Sequence, residues 1–344
     1  MRWLLRLLVR ALLLLGLAGL AGATAAWWWL QRGLPLAAPA VEVSIEQGMT
    51  PRRVAELWVE AGVQAPPRLL YEWFRWSGRS RLIRAGSYEV ETGVTPRQLL
   101  DKMVRGDEVL DSVRLVEGGS FAQLRLALAA APSLKVTTQG LSDTQLMDLL
   151  GAPGQSPEGR FFPDTYAYSR GVSDLTVLRR AHAAMQRRLI SAWAERAADL
   201  PLATMDEALV LASIVEKETG RDADRALVAG VFANRLRLGM PLQTDPTVIY
   251  GLGSAFDGNL RKRDLLADTP YNTYTRRGLP PTPIAMPGAA SLLAAVRPAP
   301  SRALYFVARG DGSGGSVFSE SLADHNRAVN QFQRGGKPPS RPLP

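Results

Sequence analysis

The stretch "LASIVEKETG", residues 211–220, closes an apolar run with two glutamates and a lysine. On a helix advancing about 100° per residue from Leu209, Val210, Leu211, Ile214 and Val215 share one apolar stripe. Glu218 lands in the middle of that stripe, at about 180°, and Glu216 at about 340°, beside Ala212 and Ser213 on the small, polar side. A carboxyl held against apolar surroundings resists ionisation, so its pKa rises. That property suits a general acid working near neutral pH. The helix could instead end here, with Glu218 in water or paired with Arg221 or Arg225. Glu216 reads as a surface residue or as support behind its neighbour.

Two loops downstream supply what a cleft would need. "GMPLQTDPTVIYGLG" and "TPYNTYTRRGLPPTPIAMPG" are dense in turn formers, small polar groups and tyrosines. Aromatic faces with amide and hydroxyl donors suit a polysaccharide, and prolines stiffen the walls. Gln243, Asp245, Tyr250, Tyr271, Asn272 and Tyr274 are the substrate-binding candidates. Asp245 could instead brace its loop as a turn residue before Pro246.

The rest of the chain must position these residues. Its 344 residues, 46% of them apolar, allow two modest domains. Cysteine is absent and only His182 and His325 are present, so disulfides and thiolate or His-rich metal sites are excluded. No metal or cofactor is expected. His182, in "RRAHAAMQRR", has no acidic neighbour in sequence and is read as structural or exposed. The net charge is +9, but Arg2, Arg6, Arg10 and Arg32 flank an N-terminal apolar segment. The remaining positive charge is dispersed without a basic block, which argues against nucleic-acid binding.

Residues 11–30 carry no charge, a length that crosses a bilayer as a helix. The three preceding arginines place residues 1–10 in the cytoplasm as a short tail. Trp27, Trp28 and Trp29 stand where an aromatic belt would meet the far interface. Small residues at 21–25 also fit a cleaved signal peptide, but apolar character runs on through the tryptophans and favours an uncleaved, single-pass anchor. Residues 31–40 form a linker. Beyond it, "VSIEQGMTPRRVAELWVEAGV", "YEVETGVTPRQLLDKMVRGD" and "RLVEGGSFAQLRLALAAA" share one plan: a β-prone run, a glycine turn, then an amphipathic helix. Thr50, Thr95 and Ser120 are natural N-caps, with Pro51 and Pro96 at the first helical position and Gln98 and Gln123 completing capping boxes. The expected fold is α+β: the membrane helix, a small LysM-like α+β module within residues 41–155, and an α+β catalytic domain over 156–333. Trp58, Tyr71, Trp73, Phe74 and Trp76 could grip sugar in that module, although core packing suits most of them better. A long helix is expected from about Asp174 to Arg196, and the tail at 334–344 reads as disordered.

"FFPDTYAY", "ASIVEKET", "VFANRLRLGMPLQTDPTVIYGLG", "YNTYTRRGLPPTPIAMPG", "LYFVARG" and the late His325-Asn326 occur in an order that closely resembles the YceG-like family of endolytic murein transglycosylases. The resemblance covers nearly the whole chain. It implies a bacterial inner-membrane enzyme with a periplasmic catalytic domain, acting on peptidoglycan glycan strands and associated with peptidoglycan synthases. It also implies that Glu218 is catalytic. Glu216, Asp224 and Arg225 would stand behind it. Where the family has Glu-Arg downstream of the catalytic helix, this chain has Asp224-Arg225, so a supporting contact is expected to differ. Two other functions fit the residues: a hydrolase of the same bond, with Asp164 or Asp245 as second carboxylate, and a non-catalytic wall-binding scaffold.

Overall fold

The computed structural model describes residues 2–333; the tail expected to be disordered lies outside the described residues. The chain is mixed α+β and divides into two compact units. Among the described residues, one comprises 2–111 and 167–172; the other comprises 112–166 and 173–333. Residues 112–155, part of the stretch read from sequence as the module and its connecting region, cluster with the second unit.

The first unit opens with α1 (Arg2–Gln31), whose stretch Leu12–Gln31 is long and apolar enough to cross a membrane. Strand β1 (Ala40–Ile45) precedes α2 (Pro51–Glu60) and α3 (Pro67–Trp76), and β2 (Gly86–Glu91) precedes α4 (Pro96–Arg105). β1 and β2 pair antiparallel, Ala40 opposite Glu91 and Ile45 opposite Gly86. Alternation along β1 turns Val41, Val43 and Ile45 inward, the period of a half-buried strand. Trp58, Phe74, Leu99, Leu100 and Met103 complete the core and are wholly buried. Trp58 and Phe74 are thus core residues and cannot stack on sugar, whereas Trp76 is exposed.

Strand β3 (Leu110–Arg114) pairs with β4 (Thr165–Ser169). Helices α5 (Phe121–Ala129) and α6 (Asp143–Leu149) lie between them in sequence. Local signals hold as expected at three helix starts. The Thr50 side chain accepts the Arg53 N–H, and Thr95–Gln98 and Ser120–Gln123 form reciprocal capping boxes.

The second unit is mainly helical: α7 (Asp174–Ala194), α8 (Met205–Glu218), α9 (Asp222–Arg237), α10 (Asp245–Leu252), α11 (Lys262–Leu266), α12 (Ala289–Val296) and, after hairpin β5 (Tyr305–Ala308) and β6 (Ser316–Ser319), α13 (Leu322–Phe332). α8 lies at its centre, against α7, α9, α10 and α12. Every residue from Ala208 to Val215 is buried, including Ala212 and Ser213. The helix therefore has no solvent face in that span, and the polar side drawn by the wheel is packed like the rest. His182 is buried beside Phe161, which settles its structural-or-exposed alternatives in favour of burial.

Candidate active site

Glu218 is the last residue of α8 and is partly buried. Its Oε1 accepts a hydrogen bond from the Thr244 hydroxyl. Burial pushes the carboxyl above its ordinary value; the Thr244 bond pulls the other way, nearby Asp245 raises it further, and the Arg235 guanidinium lowers it. The net direction is upward, so the protonated form persists to higher pH than in a free glutamate.

Thr244 and Asp245 start α10, directly after Gln243. Gln243 has φ +51°, a left-handed conformation rare outside glycine. Its N–H donates to the Thr273 carbonyl at 3.0 Å and its Oε1 accepts from Arg235 at 3.3 Å. Thr273 in turn accepts the Thr244 N–H through its hydroxyl at 3.1 Å. The two polar loops are thereby tied to each other beside Glu218. Asp245 is exposed and its Oδ1 accepts from the Tyr274 hydroxyl at 2.5 Å. Burial first, and then that bond, raises the Tyr274 pKa, so the phenol stays a donor.

Asn272 belongs to the frame. It is fully buried, its Nδ2 donates to the carbonyls of Asp264, Leu265 and Ala267, and its Oδ1 accepts the Tyr274 N–H. Every polar atom of its amide is occupied inside the loop, so the expected substrate contact gives way to a structural one. Tyr250 and Tyr271 meet edge to face with ring centres 5.0 Å apart, an arrangement aromatic pairs favour.

A cleft of about 840 Å³ runs along α10, lined by Lys217, Glu158, Pro246, Ile249, Tyr250 and Tyr271 among others. Glu218 is not among its lining residues, but its chain neighbour Lys217 is. Glu158 was not anticipated from sequence. It is 5% exposed, accepts the Phe121 N–H at the start of α5 (2.9 Å) and accepts the Tyr250 hydroxyl at 3.1 Å. Burial raises its pKa against those bonds. Its role depends on residues 121, 158 and 250 meeting in space, and nothing in "SPEGRFF" signals that. The following Gly159 has φ +76°, and a Cβ there would sit 2.4 Å from the Pro283 ring and 3.1 Å from the Ala285 carbonyl. Gly159→Ala should therefore cost about 1–3 kcal/mol through overpacking and strain, read as a lower urea midpoint; an unchanged midpoint would show that Gly159 is not packed tightly against Pro283 and Ala285.

Arg235 was also missed. Its guanidinium is buried and donates to the carbonyls of Leu304 and Leu242 at 2.7 and 2.8 Å. It lies 5.1 Å from the Tyr305 ring, on which His325 also stacks. A buried arginine inside the apolar run "VFANRL" was the available signal.

Glu216, Asp224 and Arg225, expected behind Glu218, have other partners, and the groups acting on the Glu218 carboxyl are Thr244, Asp245 and Arg235. The Glu216 side chain is 8% exposed, against 9% for Arg225, and the two lie 3.5 Å apart. Glu216 Oε2 also accepts the Gly288 N–H at 2.9 Å, and Arg225 donates to Ser291 at 2.6 Å. The surface alternative for Glu216 is excluded, because its side of α8 is covered by α12 and the segment entering it. Asp224 points elsewhere: its Oδ2 accepts the Ser316 N–H at 2.7 Å, at the start of β6.

A partly buried carboxyl with a raised pKa thus stands at a helix end, between two polar loops tied to each other, and its chain neighbour Lys217 lines a cleft. The chain belongs to the YceG-like family, whose model matches residues 43–331. It is 28% identical over 309 residues to a Bacillus subtilis (strain 168) protein named endolytic murein transglycosylase, covering 85% of this chain and 84% of that one. A Streptococcus pneumoniae (serotype 2, strain D39) protein of the same name is 27% identical over 323 residues, covering 84% of this chain and 58% of its own length. The crystal structure of a YceG-like protein from Listeria monocytogenes aligns with TM-score 0.53 and 28% identity, over 84% of this chain and 98% of that one.

Proposed function

We propose that this chain is an endolytic peptidoglycan lytic transglycosylase in which Glu218 acts first as general acid and then as base. The observation that carries this reading is the raised Glu218 carboxyl, partly buried at the end of α8 and bonded to Thr244. Protonated Glu218 gives its proton to the oxygen linking N-acetylmuramic acid to N-acetylglucosamine, and the C1–O bond breaks. The carboxylate then takes the proton from the muramyl C6 hydroxyl, whose oxygen bonds to C1. The product is a 1,6-anhydro end and no water is consumed. One carboxyl suffices where ordinary glycosidases need two, because the nucleophile belongs to the substrate and is already close.

Asp245 and Tyr274 are suited to orient sugar hydroxyls, and Tyr250 and Tyr271 offer ring faces and edges along the cleft. Gln243 holds the loop that presents Thr244. In this reading α1 anchors the chain in the bacterial inner membrane with its N-terminus cytoplasmic. The rest of the first unit is then a periplasmic LysM-like module, and peptidoglycan synthases are partners of the chain. Mass spectrometry of digested glycan tests the chemistry. Anhydro ends are expected, and reducing ends would assign a hydrolase with Asp245 as second carboxylate.

A further inference from the structure

The first unit has a surface that its own core does not explain. α3 buries Leu70 and Phe74 but leaves Trp76 78% exposed and Leu69 49% exposed. Trp76 is nevertheless ordered by its neighbours. Its Nε1 donates to Glu72 at 3.1 Å, and the Arg75 guanidinium, ion-paired with the same Glu72 at 2.9 Å, lies 5.8 Å from its ring. Residues 68–84 carry five arginines against a single acid, Glu72. A large ring with a satisfied polar edge among cations is the composition of an interfacial anchor.

Its place in the unit says which interface. Just beyond α1, the Leu34 N–H donates to the Val94 carbonyl at 2.7 Å. Two residues further on, the Pro96 carbonyl accepts the Trp73 indole at 3.0 Å. Trp29 packs into the core of this unit, while Trp28 is exposed with the Arg32 guanidinium 4.8 Å from its ring. Arg97, next to Pro96, is exposed. Trp73, one turn before Trp76, therefore lies near the end of the unit from which the apolar helix leaves.

We propose that Trp76, with Arg97 and Arg32, rests in the headgroup layer of the membrane that α1 crosses, with an anionic lipid surface as its ligand. The indole takes the amphipathic headgroup zone and the guanidiniums take lipid phosphates. This rests on the reading of α1 as a membrane span. A sugar-stacking role fits less well, because Glu72, the one carboxylate beside the ring, is already bonded to its indole.

The chain has no cysteine, so one introduced thiol is a unique label. The full chain is placed in lipid nanodiscs containing phosphatidylglycerol, with a nitrobenzoxadiazole fluorophore at Trp76→Cys, Leu15→Cys or Leu110→Cys. Leu15 lies in the apolar part of α1. Leu110 is exposed beside Val109, which bonds Ser87 at the other end of β2 from the Val94 turn. The expected result is iodide quenching several-fold weaker at position 76 than at 110, with that protection reduced in purely zwitterionic discs. Quenching at 76 equal to that at 110, or protection produced only by added glycan fragments, overturns the proposal. Full quenching at 15 would instead reject the membrane span, which separates the two failures.

Discussion

The Glu218→Gln chain should lose about 10²–10⁴-fold in the rate of anhydro-end formation, the range general acid–base groups contribute. The upper part is expected, because one residue serves both proton transfers. Glutamine keeps the shape and can still pair with Thr244, so binding of glycan should change little and the loss should fall on kcat. Stability should move in the opposite sense. A carboxyl whose folded pKa lies above its unfolded value destabilises the fold as pH rises from the unfolded to the folded value, because folding then requires proton uptake. Glutamine has no such term. The variant should match the parent in acid below about pH 4 and exceed it in urea midpoint at neutral pH. An inactive, more stable variant cannot be explained by misfolding. Retained activity would remove Glu218 from the mechanism.

Replacing Arg225 with methionine should be the most damaging change away from the cleft. Arg225 and Glu216 are both buried, and taking the cation away strands Glu216 against the Gly288 N–H alone. Breaking a buried pair from one side typically costs about 3–5 kcal/mol, which urea denaturation would register directly. The Glu216→Gln/Arg225→Met double variant should recover much of that loss, since no uncompensated charge remains. Equal losses in the single and double variants would mean that Arg225 acts through Ser291 and not through Glu216.

Local features were legible in the sequence because they depend on neighbours in the chain. The caps at Thr50, Thr95 and Ser120 form within three residues, and the long helix begins at Asp174 as its pattern requires. The Glu218 carboxyl is raised by burial, the direction the apolar stripe implies, although Thr244, Asp245 and Arg235 stand beside it. Glu216 shows where that reasoning stops. A helical wheel assumes one side faces water, and α8 has none between Ala208 and Val215. Glu158 and Asn272 were beyond reach for a related reason. Glu158 is given its setting by Phe121 and Tyr250, each far away in sequence, and Asn272 by carbonyls whose loop path composition does not specify.

The position of Glu218 at the C-terminal end of α8 has a consequence for the order of events. The end of a helix carries partial negative charge within its last turn, so the anion left after the first transfer forms in an unfavourable field. Its affinity for a replacement proton is correspondingly high, and a sugar hydroxyl, a poor acid in water, becomes an adequate donor. On the proposed chemistry, one electrostatic setting serves both half-steps: what retains the proton beforehand recovers one afterwards.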